Sequence, residues 1–469
     1  MLGGQERQLK QMYKKGASSS ISSYISNSSM APFLQYLFPF LFFLVISSSQ
    51  AQNSFRPKAL VIPVTKDANT LQYVTTITQR TPPVPVKLVV DLGGQFVWID
   101  CQSGYTSSSY RPAVCRSAQC SLANALPGCS DCNNTPGPGC NNNTCNLSPQ
   151  NGVTEFITGG DVSMDLLTLK STDGFNPGVT VNVPQFIFAC TRTFLLEGLA
   201  SGTTGIAGFG KTRIALPSQL AAAFSFDRKF AVCLSSETAS PGVIFFGDGP
   251  YSFFQGGGDV SQTFRYTRML NNPVSTNGVA LRGEPSYEYF MGVTAITISG
   301  KDLPINTSLL SIASNGVGGT KFSTVAPYGI LESTIYKTFT ETFISEAAAM
   351  NITRVASVAP FTACFSSNSI VSIRGRLQVP SVNLVLQSRS VVWPIYATNL
   401  LVQAAEGVSC LAFVDANSIE DVAINPLASI VLGGFQLEDN FIQFDLATSR
   451  IGFTSMLYDY TTRCSSFRS

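Results

Sequence analysis

The chain has 469 residues, of which 12% are charged, 30 basic against 28 acidic, with twelve cysteines and no histidine. Without histidine, neither Ser-His-Asp nor Cys-His nucleophilic catalysis nor a His-ligated zinc hydrolase can be assembled, so any hydrolysis would rest on carboxylates. The near balance of charge, with no block of basic residues beyond residue 51, lacks the electrostatic footprint of nucleic-acid binding.

Residues 1–51 read as an N-terminal extension followed by a signal peptide. The stretch APFLQYLFPFLFFLVISSSQAQ, residues 31–52, has an apolar centre too short and too abruptly ended for a membrane span, and small Ser49 and Ala51 suit cleavage after Ala51. Met30 is a candidate translation start. Removing residues 1–51 takes away four basic and one acidic side chain, leaving 418 residues with 26 basic and 27 acidic groups and a formal net charge of −1. A secreted protein is expected, with no membrane contact once the leader is gone.

Next comes VVDLGGQFVW, residues 89–98, in which two β-branched residues lead into an acid and two glycines follow. The pattern predicts a strand that delivers Asp91 into a tight glycine turn. All twelve cysteines lie beyond the leader, at Cys101, Cys115, Cys120, Cys129, Cys132, Cys140, Cys145, Cys190, Cys233, Cys364, Cys410 and Cys464. An even number in a secreted chain favours six disulfides and no free thiol. CSDC and CNNNTC, at residues 129–132 and 140–145, resemble zinc-ligand spacings, but without histidine and in an oxidising compartment a stapled loop region is the stronger reading, with no metal expected. Asn133, Asn142, Asn146, Asn306 and Asn351 head glycosylation sequons.

The remaining chain is made of short β-type runs punctuated by Gly, Pro and Asn, such as VPQFIFAC, GVIFFG, VTAITISG and FIQFDL. Helical stretches are few: LPSQLAAAF near residue 216 and STIYKTFTETFISEAAAM at residues 333–350. A mostly β chain of this size should divide into two lobes, and the Gly-rich stretch at residues 247–262 is the candidate junction, giving lobes 52–250 and 251–469.

These residues resemble the pepsin-like aspartic proteases. YVTTITQRTPPVPVKLVVDLGGQFVWIDC, residues 73–101, is similar to the family's opening strand, turn, strand and Asp-Thr-Gly-Ser loop. GIAGFG at residues 205–210 and SIVLGGFQLEDNFIQFDLATSRIGF at residues 429–453 resemble the strands that close the two lobes. The resemblance implies a mostly β, bilobal pepsin-like (acid protease) fold with two six-stranded-barrel-type lobes, and catalysis by two aspartates sharing a proton around a water. The first loop keeps Asp91 and Gly93 but has Leu92 and Gly94 where the family has a hydroxyl residue and Ser. In the second loop, GGTKFSTVAPYGILESTIY at residues 318–336, Ser323 falls where the second Asp belongs, and no acidic residue occurs between Asp302 and Glu332. The flap tyrosine is also missing, since no Tyr occurs from Arg111 to Pro250. Asp91 and Ser323 are therefore expected to form a degenerate dyad with no functional catalytic residue. Asp91 should sit ionised in an open site, capping its own glycine turn and bonding across the lobe seam to the Ser323 loop.

Ser323, GGTKFST, the twelve cysteines and the terminal block resemble a plant branch of this family: endoglucanase and xyloglucanase inhibitors, xylanase inhibitors, extracellular dermal glycoproteins and basic globulins. The branch implies an inactive, monomeric apoplastic or cell-wall protein without cofactor. Its expected role is to inhibit a secreted microbial glycoside hydrolase, an endoglucanase, xyloglucanase or xylanase. Arg354, Arg374 and Arg376 are candidates to reach that enzyme's carboxylates, although a solvated surface charge is the simpler reading of each. The resemblance also implies an Arg in inhibitory relatives where Leu427 stands, which counts against the xyloglucanase class. Cys364 with Cys410 should close a second-lobe loop, Cys233 with Cys464 should tie the C-terminal tail to the first lobe, and the other eight should pair within the first lobe. An active aspartic endopeptidase and an extracellular binding or storage glycoprotein remain as alternatives.

Overall fold

In the computed structural model, the Val84–Asp91 strand shows why a β fold forms. Its first half alternates exposed and buried residues, whereas Leu88 to Asp91 are buried on both faces. That half-continuous pattern suits a strand entering a core between two partners. It pairs antiparallel with Tyr73–Gln79 and parallel with Gly205–Gly208, where Asp91 lies opposite Gly208. The second half of the chain repeats the arrangement: Thr320–Phe322 runs parallel to Ile430–Leu432, with Phe322 opposite Leu432. Each critical loop thus leaves a buried strand held on a neighbouring parallel strand. The structure describes residues 55–253, 258–275, 284–419, 428–455 and 462–467.

Six antiparallel strands within one large sheet join the two halves, in the order Ala59–Lys66, Gly242–Gly247, Lys229–Cys233, Phe441–Asp445, Arg450–Thr454, Arg265–Leu270. Lys229–Cys233 meets Phe441–Asp445 at its centre, so the join is a full ladder of backbone hydrogen bonds. Aromatic rings continue it below the sheet. Phe444 lies 5.0 Å from Phe230, 4.5 Å from Tyr289 and 5.5 Å from Phe322, measured between ring centroids. The Tyr289 hydroxyl donates to the Phe209 carbonyl at 2.6 Å. The fold is the mostly β, pepsin-like one that the resemblance implied, and both helices from the sequence appear, at Leu216–Phe224 and Ser333–Ala349. Among the described residues no helix is long and apolar enough to cross a membrane.

The cysteines form six disulfides: 101–190, 115–129, 120–145, 132–140, 233–464 and 364–410. None is free. The zinc-like spacings dissolve here, because Cys129 and Cys132 bond different partners, as do Cys140 and Cys145. Four of the five sequon asparagines, Asn133, Asn142, Asn306 and Asn351, are exposed. Asn146 is half-buried, and its amide donates to the Ser130 hydroxyl. A glycan on Asn146 would have to displace that contact.

Candidate functional site

Asp91 ends its strand in the turn the sequence predicts. The Gly93 N–H donates to Asp91 Oδ1 at 2.8 Å, and the Gly94 N–H to the Asp91 carbonyl at 3.2 Å. A Cβ on Gly94 would lie 2.9 Å from Gly208 Cα and 3.1 Å from Asp91 Oδ2, so close strand approach explains why glycine, not serine, stands there. Across the seam, Thr324 Oγ1 donates to the Val90 carbonyl at 2.7 Å and accepts from the Leu92 N–H at 3.1 Å. No return bond can come from Leu92, whose side chain is an apolar core member, 1% exposed. Ser323 Oγ accepts from the Ala326 N–H at 3.1 Å.

Asp91 and Ser323 do line one cavity. The expected capping of the glycine turn is present. The cross-seam bond is made by Thr324 to backbone, not by the Asp91 carboxylate, and one arm of a two-way lock survives. Thr324→Val is expected to lower stability by about 2 kcal/mol, because it leaves the buried Leu92 N–H unpaired. Thr324→Ser should retain most of it; equal midpoints for wild type and Thr324→Val in urea would refute this.

The electrostatics depart from the sequence expectation. Asp91 is not in an open site: it is 7% exposed, and burial pushes its carboxyl up to about 6, with Glu288 adding to the rise and the Gly93 and Gly94 amides and Lys321 opposing it. Glu155 is pushed up to about 7, again chiefly by burial, with Lys321 opposing and Asp91 and Glu288 reinforcing. Glu288 is held by Lys321 at 2.6 Å, with Ser286 Oγ donating to it at 3.3 Å. Two further carboxylates, Glu155 and Glu288, and one ammonium, Lys321, therefore line the cavity with Asp91 and Ser323. Sequence reasoning missed Glu155, Glu288 and Lys321. Glu288 stands 35 positions before Ser323, outside the loop searched for a carboxylate, and only folding brings it beside Gly93, whose Cβ position is 3.2 Å from Glu288 Cγ.

A loop at residues 150–158 closes the site. Trp98 Nε1 donates to the Gln150 carbonyl at 2.9 Å, and Asn151 Nδ2 donates to the Leu195 and Glu197 carbonyls at 2.9 and 2.8 Å. Gly152 lies directly over the acid: a Cβ on it would come within 2.8 Å of Asp91 Oδ2. The cavity measures about 80 Å³. Sites for drug-sized ligands are roughly 300 to 1,000 Å³. This one is smaller than that range. Among the described residues no group of three or more acidic or sulfur ligands could hold a metal ion.

Arg354, Arg374 and Arg376 lie elsewhere and are exposed. Arg374 and Gly375 adopt φ of 52° and 78° in the turn of a hairpin, Ser372–Ile373 with Arg376–Leu377. Arg354 opens the Arg354–Val355 strand, and adjacent Thr353 is tied to Ser366 and Ser369, each at 2.9 Å, just ahead of that hairpin. The three arginines therefore belong to one region of the second half. Val371, Ile373 and Leu377 beside them are 60%, 55% and 39% exposed. Leu427 lies outside the described residues.

The sequence matches the family described as xylanase inhibitor N-terminal over residues 73–248 and xylanase inhibitor C-terminal over residues 288–455. It is 55% identical to "Probable aspartic proteinase GIP2" of Nicotiana benthamiana, over 91% of this chain and 95% of that protein. It is 39% identical to "Gamma conglutin 1" of Prunus dulcis, over 90% and 92% of the two chains. Among solved structures, that of edgp superposes with a TM-score of 0.85 at 56% identity, covering 89% of this chain and 99% of that one. Basic 7S globulin from soybean superposes with a TM-score of 0.75 at 33% identity, covering 88% and 99%. With both family segments matched and the pepsin-like architecture present, the chain belongs to the xylanase-inhibitor family, the non-proteolytic plant branch of the pepsin-like fold.

Proposed function

We propose that this protein is a secreted, catalytically inactive aspartic-protease homologue that inhibits a microbial cell-wall glycoside hydrolase by occluding its cleft. The observation that carries the reading is a cavity of only about 80 Å³ that is lined by both Asp91 and Ser323. General acid-base assistance worth about 10²- to 10⁴-fold needs a correctly placed partner. Glu288, the nearest second-half carboxylate, is engaged by Lys321. A fold retained without room for its substrate points to the surface as the working part. In this reading the lobes run 52–250 and 251–469, the protein acts as a monomer in the apoplast or cell wall, and the contact region is the exposed cationic and apolar hairpin of Arg374 and Arg376 with Arg354 beside it.

An arginine that reaches desolvated catalytic carboxylates should be an anchor of the interface. Purified endoglucanases, xyloglucanases and xylanases of fungal origin should include at least one inhibited at nanomolar concentration. Arg354→Ala, Arg374→Ala or Arg376→Ala should then weaken inhibition by at least about 2 kcal/mol, or roughly 30-fold. If no enzyme in a broad panel is retained or inhibited at micromolar concentration, the reading falls. The storage or binding-glycoprotein reading, favoured by the globulin names among the relatives, would replace it.

The mature protein should not cleave denatured globin between pH 2 and 7. Pepstatin-sensitive cleavage abolished by Asp91→Asn would instead establish an aspartic endopeptidase. Ser323→Asp alone should restore nothing, because it adds a further acid to a cavity already holding Asp91, Glu155 and Glu288 under the Gly152 lid.

A further inference from the structure

Beside the Asp91 cavity, and sharing its Phe96 and Tyr287 wall, lies a much larger open groove of about 940 Å³. Its charge is one-sided. Lys211, Arg213 and Arg228 line it against a single carboxylate among the described residues, Glu284. Lys211 is half-buried, its backbone N–H fixed on the Tyr287 carbonyl at 2.9 Å and its ammonium donating to Asn271 Oδ1 at 3.0 Å. Among the described residues neither it nor Arg213 nor Arg228 has a carboxylate within ion-pair distance. Burial lowers the Lys211 ammonium to about 8, with distant Glu288 only partly opposing the fall. A cation that has lost water without gaining a counter-ion is a cost in the free protein, and an anion in the groove would offset it.

We infer that this groove is a binding site for a carboxylate-bearing oligosaccharide, a short linear polyuronide, held by Lys211, Arg213 and Arg228. The volume is at the upper end for small-ligand sites, so an oligomer suits it better than a single acid. The cations come from two separated segments, residues 211–213 and residue 228, and guanidinium forks donate to carboxylates in two-point fashion. The amides of Asn124 and Asn271 supply partners for hydroxyl groups. A peptide is disfavoured, because addition of a strand needs a free sheet edge. Of the strands that reach the wall, Arg265–Leu270 pairs with Arg450–Thr454 through residues 265–268 and with Phe290–Met291 through residues 269–270, and Asn146–Leu147, two residues long, is too short to receive a peptide. The site is independent of the hydrolase-inhibiting surface proposed above.

The test is titration calorimetry of the mature protein with oligogalacturonate, its fully methyl-esterified form, poly-glutamate and a sulfated glycan of similar length. Binding of oligogalacturonate is expected, weakening as salt rises and as pH passes 8. Binding of the neutral ester should be at least tenfold weaker. Arg213→Ala, at an exposed position that should not disturb folding, and Arg228→Ala should each weaken binding about tenfold while leaving any hydrolase inhibition unchanged; Lys211→Met should do the same if its circular dichroism is native. No binding of oligogalacturonate, equal binding of the neutral ester, or tighter binding of poly-glutamate or the sulfated glycan would overturn the proposal.

Discussion

Replacing Asp91 by Asn is expected to stabilise the folded protein at pH 8 by about 3 kcal/mol, the equivalent of raising a carboxyl from 3.8 to about 6. Glu155→Gln should add about 2 kcal/mol, less than its rise from 4.5 to about 7 implies, since the side chain is only half-buried and solvent screens it. The direction follows from proton counting. Between pH 4 and 7 the folded protein holds protons on these two groups that the unfolded chain has already released, so stability falls as pH rises through that window. Above about pH 7 the full cost is present. The Asp91 carboxylate raises that of Glu155, so the double variant should gain less than the sum of the single ones. Urea denaturation at pH 4.5, 6 and 8 would show it: the wild type should lose stability toward pH 8, and the amide variants should show a flatter profile. A variant that is less stable than wild type at pH 8 would mean the acids are held by contacts that the geometry does not reveal.

That expectation bears on function. A catalytic aspartate pair shares one proton across a site open to substrate. Here Asp91, Glu155 and Glu288 share a cavity with one Lys321, which pairs with Glu288, and Gly152 lies over Asp91. The acids form a cluster in which Asp91 and Glu288 are buried and Glu155 is half-buried, and its cost is borne by the surrounding fold.

What could be read from the sequence, and what could not, divides along range of interaction. The Val84–Asp91 strand, the Asp91 turn and the Ser333–Ala349 helix rest on local patterns of β-branched, glycine and apolar residues, and they appear as expected. Ser323 could be brought toward Asp91 because the flanking GGTKFST carries a family pattern, and both residues line one cavity. Burial of Asp91 could not be read, since it depends on residues 150–158 folding back over it and on Gly152 lacking a side chain. Nor could Glu288 be found, because its role arises only when a residue far upstream packs on Gly93. The loss of Leu92 as a donor was visible, but the survival of the Thr324 arm was not, because a one-way hydrogen bond to backbone leaves no mark in residue type at the receiving end.

The staple at the chain's end should have the other large effect. Cys464 bonds Cys233 in the central sheet, closing a separation of 231 residues, and the surrounding tail is tightly seated. The Cys464 N–H donates to Asp439 Oδ1 at 2.9 Å, Arg463 pairs with Glu237 at 2.6 Å, and the Phe467 ring meets that of Phe245 edge-on at 5.0 Å. In the chain-entropy view such a loop restricts the unfolded state by about 5 kcal/mol, although measured losses for single bridges are more often about 2 to 4. Cys233→Ala with Cys464→Ala should therefore lower stability by about 2 to 5 kcal/mol, read as a fall in the guanidinium midpoint with the other five bridges intact. Phe467→Ala with the bridge present isolates the packing share and should cost less. The tail is the last segment of the second half, and Lys229–Cys233 is the first-half strand that pairs with Phe441–Asp445, so the bridge reinforces the ladder that joins the halves. If the double Ala variant matched wild type in stability, the tail's hydrogen bonds and ring contacts would be sufficient alone. Under the proposed function, in which the protein works through a surface in its second half, this rigidity would favour binding, because an anchoring arginine held in place before contact loses less entropy.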